Sequence, residues 1–268
     1  MDLEATRELM KRACLMDDFF MKACFRDLKC VEVLIRVILD RDDLIVKSAK
    51  TQEYIKGLEH DVIFDIFAVD SDNKGYDIEL QNTSKDASIK RARFYAGMLD
   101  SRSLKSGEPY DSIRDNYIIF ITQKDVLRGG LPLYTIERCI KENGRFINDG
   151  LHIIYVNGKM RGAETKLSRL MHDLFCQNPD EMYYTPLADR TRHFKEDEGG
   201  LAVMSGLSEE LMNIGIEKGI EKGVKQGIEK DRNRIVQRLL NFGKMTVEEI
   251  SNMLDIPLAD VQRYANQH

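Results

Sequence analysis

Apolar positions along the first 180 residues change rhythm several times, and each change predicts an element. Between residues 17 and 39, Phe19, Phe20, Ala23 and Cys24, then Val31, Leu34, Ile35, Ile38 and Leu39, recur at three- and four-residue spacing. That spacing predicts helix, with residues 26–29 as the place where it could break. Residues 44–48 (LIVKS) suggest a short strand. HDVIFDIFAVD (60–70) and GYDIELQ (75–81) are rich in β-branched and aromatic residues, and the polar SDNKG between them predicts a hairpin. Asp86 or Ser84 can cap a helix from 87 to about 100, whose apolar stripe is Ile89, Ala92, Ala96 and Leu99. NYIIFIT (116–122) and LHIIYV (151–156) are nearly continuous apolar runs, as expected of buried central strands. Residues 163–176 return to helix, with Leu167, Leu170, Met171 and Leu174 inward. The order of elements predicts an α/β domain with a mixed sheet.

Beyond residue 180 the pattern weakens. Residues 181–205 are polar and broken by Pro186 and the Gly199–Gly200 pair, and they read as a linker between a domain at 1–180 and a tail at 206–268. The tail opens with a repeat, GIEKGIEKGVKQGIEK, that sets Gly215, Gly219, Gly223 and Gly227 four apart. Each glycine costs about 1 kcal/mol relative to alanine inside a helix, so the segment is a weak helix by itself. The same spacing would let another helix approach closely, which makes a homo-oligomer through the tail an expectation. Further on, Thr246 and Glu249 have capping-box spacing, and Ile250, Leu254, Ile256 and Val261 make a small apolar set. The two short helices around Asp255–Pro257 resemble a helix-turn-helix. Residues 243–268 carry only Lys244 and Arg263 against four acids, which favours an accessory or protein-binding module over DNA reading.

Composition sets outer limits. The 268 residues are 43% hydrophobic and 32% charged, with a net charge of −5. No apolar run is long enough to span a bilayer, and the N-terminal stretch has no apolar core of a signal peptide. Cys14, Cys24, Cys30, Cys139 and Cys176 form no CxxC pair or metal-ligand spacing, which fits reduced thiols in a cytoplasm. A net negative chain is a poor nonspecific coat for nucleic acid, because phosphate binding needs local positive charge.

The candidate chemistry lies in two adjacent strands. Strand side chains alternate, so Asp77, Glu79 and Gln81 face one way and Ile78 and Leu80 the other. On the preceding strand Asp65 stands between Phe64 and Ile66, and an acid in an apolar strand is costly without compensation. If the strands are neighbours, Asp65 and Glu79 can converge on one cation, and two carboxylates plus waters suit Mg²⁺. Read as bare sequence, the pair serves equally well as satisfied acids at a sheet edge. Asp77 reads as a neighbour of the site, Tyr95 as packing and His60 as a strand-edge residue. No Ser-His-Asp arrangement, phosphate loop or HExxH motif is visible.

HDVIFDIFAVDSDNKGYDIELQN, followed by KRARFYAGMLD, a KSGEPYDSI turn and NYIIFIT, resembles the PD-(D/E)XK nuclease family transposases, also called recombination-promoting nucleases. DDFFMKACF with VEVLIRVILD resembles that family's first helix, and the resemblance covers roughly residues 15–175. It implies a restriction-endonuclease-like core, a mixed central sheet flanked by helices, to which the residue pattern adds a helical C-terminal tail. It also implies a Mg²⁺-dependent DNA endonuclease linked to mobile elements or recombination, with Mn²⁺ able to substitute. Asp65 takes the family's first acidic position and Glu79 the second, with the Ile78 backbone carbonyl as a further metal ligand. Gln81 stands where the family pattern has lysine; glutamine can hydrogen-bond an attacking water but brings no positive charge. Glu32 is the candidate for a helix-borne acid that many members use. Lys85, Lys90, Arg91 and Arg93 are candidates for DNA phosphate contacts, although a charge run is often a solvated helix face. The negative net charge is compatible with this, since the metal supplies local positive charge. The rival expectation is an inactive nuclease fold, marked by Gln81, that binds DNA or assembles with partners.

Overall fold

The computed structural model describes residues 3–57, 59–82, 87–243 and 245–265. Three helices come first, α1 (Leu3–Arg12), α2 (Asp18–Cys24) and α3 (Leu28–Leu39), followed by strands β1 (Val46–Ile55), β2 (Val62–Asp70) and β3 (Gly75–Gln81). Helix α4 (Ile89–Ser103) leads to β4 (Asn116–Thr122), β5 (Leu133–Ile136) and β6 (Leu151–Asn157), then α5 (Lys166–Phe175) and α6 (Thr185–Glu196). The chain ends with α7 (Glu198–Asn241), α8 (Val247–Leu254) and α9 (Leu258–Ala265). The strands form one six-stranded sheet in the order β1-β2-β3-β4-β6-β5. β1, β2 and β3 are antiparallel neighbours, β3, β4 and β6 run parallel, and β5 returns antiparallel to β6. Among the described residues no helix is long and apolar enough to cross a membrane.

Local chemistry sets the breaks. The expected 17–39 helix divides because Asp27 accepts a hydrogen bond from the Lys29 N–H at 2.8 Å and starts α3 afresh. Ser88 caps α4 by accepting from the Arg91 N–H at 3.2 Å; the expected caps Ser84 and Asp86 lie outside the described residues. Ile89, expected inward, is half exposed, and Tyr95 joins Ala92, Ala96 and Leu99 on the buried stripe.

Each face of the sheet carries a core. On one face Tyr76, Ile78, Leu80, Ile119, Ile121, Ile154 and Val156 meet helices α1, α2, α3, α5 and α6. On the other, Ile118, Phe120, Ile153 and Tyr155 meet α4. β2 serves both: Ile66 and Ala68 belong to the first core, whereas Val62 and Phe64 belong to the second. β1 changes sides at the same level, since Val46 and Ala49 pack in the first core and Ile55 in the second. Pairing stays in register across the change, with Thr51 opposite Ile66 and Glu53 opposite Phe64. The β1–β2 ribbon therefore passes from one layer to the other at Gln52 and Asp65. In the sequence, positions 62, 64, 66 and 68 simply alternate.

The chain divides into two compact units, residues 1–208 and 209–268. This corrects the reading of 181–205 as a linker. Those residues carry α6 and the start of α7, and Leu187, Phe194, Leu201 and Met204 are buried in the first core. Pro186 lies in the first turn of α6, where a missing N–H does no harm. Gly200 is needed because a Cβ there would lie 2.0 Å from the His193 carbonyl oxygen. In the second unit Val236, Ile250, Ile256, Val261 and Tyr264 form a small core. The Thr246–Glu249 capping box is present, with the Glu249 N–H donating to Thr246 Oγ1 at 3.2 Å and the Thr246 N–H donating to Glu249 Oε2 at 2.7 Å. The glycine repeat lies within α7, and at Gly223 and Gly227 an added Cβ would meet nothing within 4 Å.

A chain ending at residue 208 should retain cooperative unfolding, whereas one ending at residue 200 should melt markedly earlier because it lacks Leu201 and Met204. Leu201→Ala in the full chain should cost about 2–5 kcal/mol, measured by urea denaturation; a neutral result would remove α7 from the first core.

Candidate functional site

The site forms where two strands part. Ladder pairing between β2 and β3 runs from Val69 opposite Gly75 to Ile66 opposite Ile78. Past that rung β3 continues beside β4 as far as Gln81 opposite Thr122, and β2 continues beside β1 as far as Val62 opposite Ile55. At the mouth of this fork, side-chain carboxylates take the role of strand carbonyls. The Asp65 N–H donates to Glu79 Oε1 at 3.0 Å, and the Leu80 N–H donates to Asp65 Oδ2 at 3.0 Å. Each acid thus accepts a backbone N–H from the opposite strand.

The remaining carboxylate oxygens are held by side chains. The Gln52 amide donates to Asp65 Oδ1 at 3.3 Å. Glu79 Oε2 accepts from the Gln81 amide at 3.2 Å and from Arg91 Nη2 at 2.7 Å. Arg91 Nη2 also donates to the Tyr95 hydroxyl at 2.7 Å, and its guanidinium carbon lies 4.8 Å from the Tyr95 ring centre. Asp77 and Glu79 are fully buried. Among the described residues neither oxygen of Asp77 has a hydrogen-bond partner.

Burial dominates the acids' titration. It pushes Asp65 up to about 6, with the nearby charge of Asp18 adding to the rise and the Leu80 N–H opposing it. It pushes Glu79 up to about 8, helped by the Asp65 charge and opposed by Arg91. Asp77 is raised well above the ordinary carboxylate range by burial and then by Glu79 and Asp65. The buried Asp77 and Glu79 and the half-buried Asp65 share one guanidinium, that of Arg91, and have an excess of negative charge once ionised. Such a donor set, hard oxygens with one buried carboxylate unpartnered, fits a small divalent cation that keeps several waters. Among the described residues no three His, Cys, Asp or Glu side chains are gathered into a ready-made metal cage, so Asp65 and Glu79 would supply two carboxylate ligands and other oxygens the rest.

The other candidate residues are placed as follows. Gln81 shares the face of Glu79. Ile78 buries its side chain in the first core, which leaves only its carbonyl on the strand between Asp77 and Glu79. Lys90 and Arg93 stand exposed on α4, while Arg91 turns inward to Glu79. Lys85 lies outside the described residues. Glu32 is not brought to this cluster: it accepts from the Val46 N–H at 2.9 Å and pairs with Arg36 at 2.9 Å. Val46 is opposite Asp70, five residues and about 17 Å along β2 from Asp65. The helix-borne acid that acts on Asp65 is Asp18, in the first turn of α2, and it lies within the DDFF segment already singled out. The sequence holds no signal for Gln52, and it predicts Tyr95 as packing. Tyr95 is buried but bonds Arg91; the four-residue spacing from Arg91 was the available hint.

A mixed sheet with helices on both faces and acids at the fork of two strands defines a restriction-endonuclease-like α/β domain. The PD-(D/E)XK nuclease family transposases match residues 19–171, more than half of the sequence, and the chain belongs to that family. No curated protein and no solved structure matches it. Membership supports a nuclease related to transposition, in a family whose nucleases generally use divalent metal ions.

The raised carboxyls give the metal-free protein a pH dependence of definite sign. Unfolded, these acids lose protons near their ordinary values; folded, Asp65 and Glu79 retain them to about 6 and about 8. Between those limits the unfolded chain binds fewer protons, so stability falls as pH rises. Melting in chelator should therefore be higher near pH 5 than near pH 8, and Glu79→Gln should flatten the slope while sparing the acceptor for the Asp65 N–H. A wild-type slope of the opposite sign would show that the acids are ionised and compensated in the folded state.

Proposed function

We propose that this chain is a metal-dependent DNA endonuclease that hydrolyses phosphodiester bonds in the service of mobile elements or recombination. The observation that carries the reading is the fork itself. Asp65 and Glu79 are each fixed through one oxygen by a backbone N–H, and their other oxygens accept only from side chains. Those second oxygens, with the Ile78 carbonyl, would hold Mg²⁺, and Mn²⁺ could stand in its place. When bound, the cation lowers the pKa of a water and offsets charge on the scissile phosphate. Gln81 accepts and donates hydrogen bonds and would orient the attacking water. Lys90 and Arg93, exposed on α4, would meet the flanking phosphates, and Lys85 on the approach to that helix would do the same. Arg91 is drawn inward in this state. The protein would work in the cytoplasm, in keeping with its five free thiols.

The second unit is proposed as a separate module that makes a homo-oligomer. Ile220, Val224 and Ile228 are exposed at four-residue spacing along α7, which supports a helical partner there.

The Arg91–Glu79 ion pair favours a second reading, an inactive nuclease fold in which a guanidinium has replaced the metal for good. Plasmid nicking separates the two. Wild type should nick supercoiled DNA with Mg²⁺ or Mn²⁺ and not with chelator, and Glu79→Ala should abolish nicking while circular dichroism shows a folded protein. Gln81→Lys should keep or raise activity if Gln81 orients water. An inert wild type that Gln81→Lys rescues would support the inactive reading. Nicking undiminished in Glu79→Ala would overturn the site assignment.

A further inference from the structure

Gln52 adopts φ = +56° in the middle of an edge strand. The left-handed region is rare for a side chain other than Gly, Asn or Asp and is strained for this one. Such strain persists where surrounding contacts over-determine it, most often at functional sites. Its position is not arbitrary: the flanking pairs Thr51–Ile66 and Glu53–Phe64 set Gln52 opposite Asp65. The neighbours pin the ribbon to opposite layers. Thr51 Oγ1 donates to the Lys22 carbonyl on α2 at 3.2 Å, whereas Glu53 is bound by Arg102 on α4. The rotation between them falls on Gln52, and it delivers the side-chain amide to Asp65 Oδ1 at 3.3 Å. Asp65 Oδ2 is already fixed by the Leu80 N–H, so Gln52 removes the remaining freedom of that carboxylate.

We propose that Gln52 is a positioning residue whose left-handed backbone aims its amide at Asp65 and orients that carboxylate for the divalent cation. The proposal rests on the reading of Asp65 as a metal ligand. It separates two properties that a merely structural residue would keep together. Glycine at 52 accommodates the same backbone without strain but has no amide. Asparagine tolerates the left-handed region, yet its amide is one methylene short of Asp65.

The test is isothermal titration of Mn²⁺ into the full chain, with melting in chelator measured alongside. Gln52→Gly should melt at or above the wild-type temperature, yet bind Mn²⁺ about tenfold or more weakly, the usual penalty for losing a partner of a metal ligand. Gln52→Asn should show the same weakening with little change in melting. Wild-type Mn²⁺ affinity in both variants would overturn the role of Gln52 and leave the nuclease reading standing. Gln52→Gly melting clearly below wild type would show that the conformation is not a strained one held for the site. A wild type that binds no Mn²⁺ would overturn the nuclease reading, and this inference with it.

Discussion

Where β2 parts from β3, two backbone N–H groups, those of Asp65 and Leu80, are met by side chains rather than by strand carbonyls. A buried N–H left unsatisfied costs about 1–3 kcal/mol, and the fork lies in the interior. The carboxylates of Glu79 and Asp65 fill the two vacancies reciprocally. The same side chains are thereby the stitches that let the strands part and the ligands proposed above for a cation. Replacing either by an apolar residue reopens the hydrogen-bonding deficit.

Charge balance around that fork is the second constraint. Asp77 and Glu79 are fully buried, with the half-buried Asp65 beside them, so water screens their charges poorly. Arg91 supplies one compensating charge and is held by both Glu79 and Tyr95. Burial is the first cause of the raised titration of all three acids, so the folded chain favours holding protons on them. A divalent ion would let all of them ionise and would free Arg91 from Glu79.

The exchange of layers at Gln52 and Asp65 gives the fork its shape. Because the ribbon changes faces there, the tip of the β1–β2 hairpin packs under α4 with Phe64 beside Tyr95, ring centres 5.3 Å apart. The helix that carries Arg91 is thus anchored by the strand that carries Asp65. A regular ribbon would have turned Phe64 and Val62 toward the other core and left α4 without that support.

Much of this was written locally in the sequence. Strand periods placed β2, β3, β4 and β6, helical spacing placed α4 and α5, and the alternation in GYDIELQ put Asp77, Glu79 and Gln81 on one face, because these features depend on a few consecutive residues. The burial of α6 was hidden, since Leu187, Phe194, Leu201 and Met204 are spread among charged residues and their value depends on which surface they meet. Glu32 reads as a helix-borne acid equally well whether it points to the fork or to the start of β1, and only packing decided for Val46. Gln52 carries no sequence signal: its left-handed turn is imposed by α2 pulling on Thr51 and α4 on Glu53, two helices separated by some 65 residues. Residue patterns fixed the elements and the chemistry available to them; the direction of Arg91, the partnership of Gln52 and the swap of layers came from long-range contacts that no local period can encode.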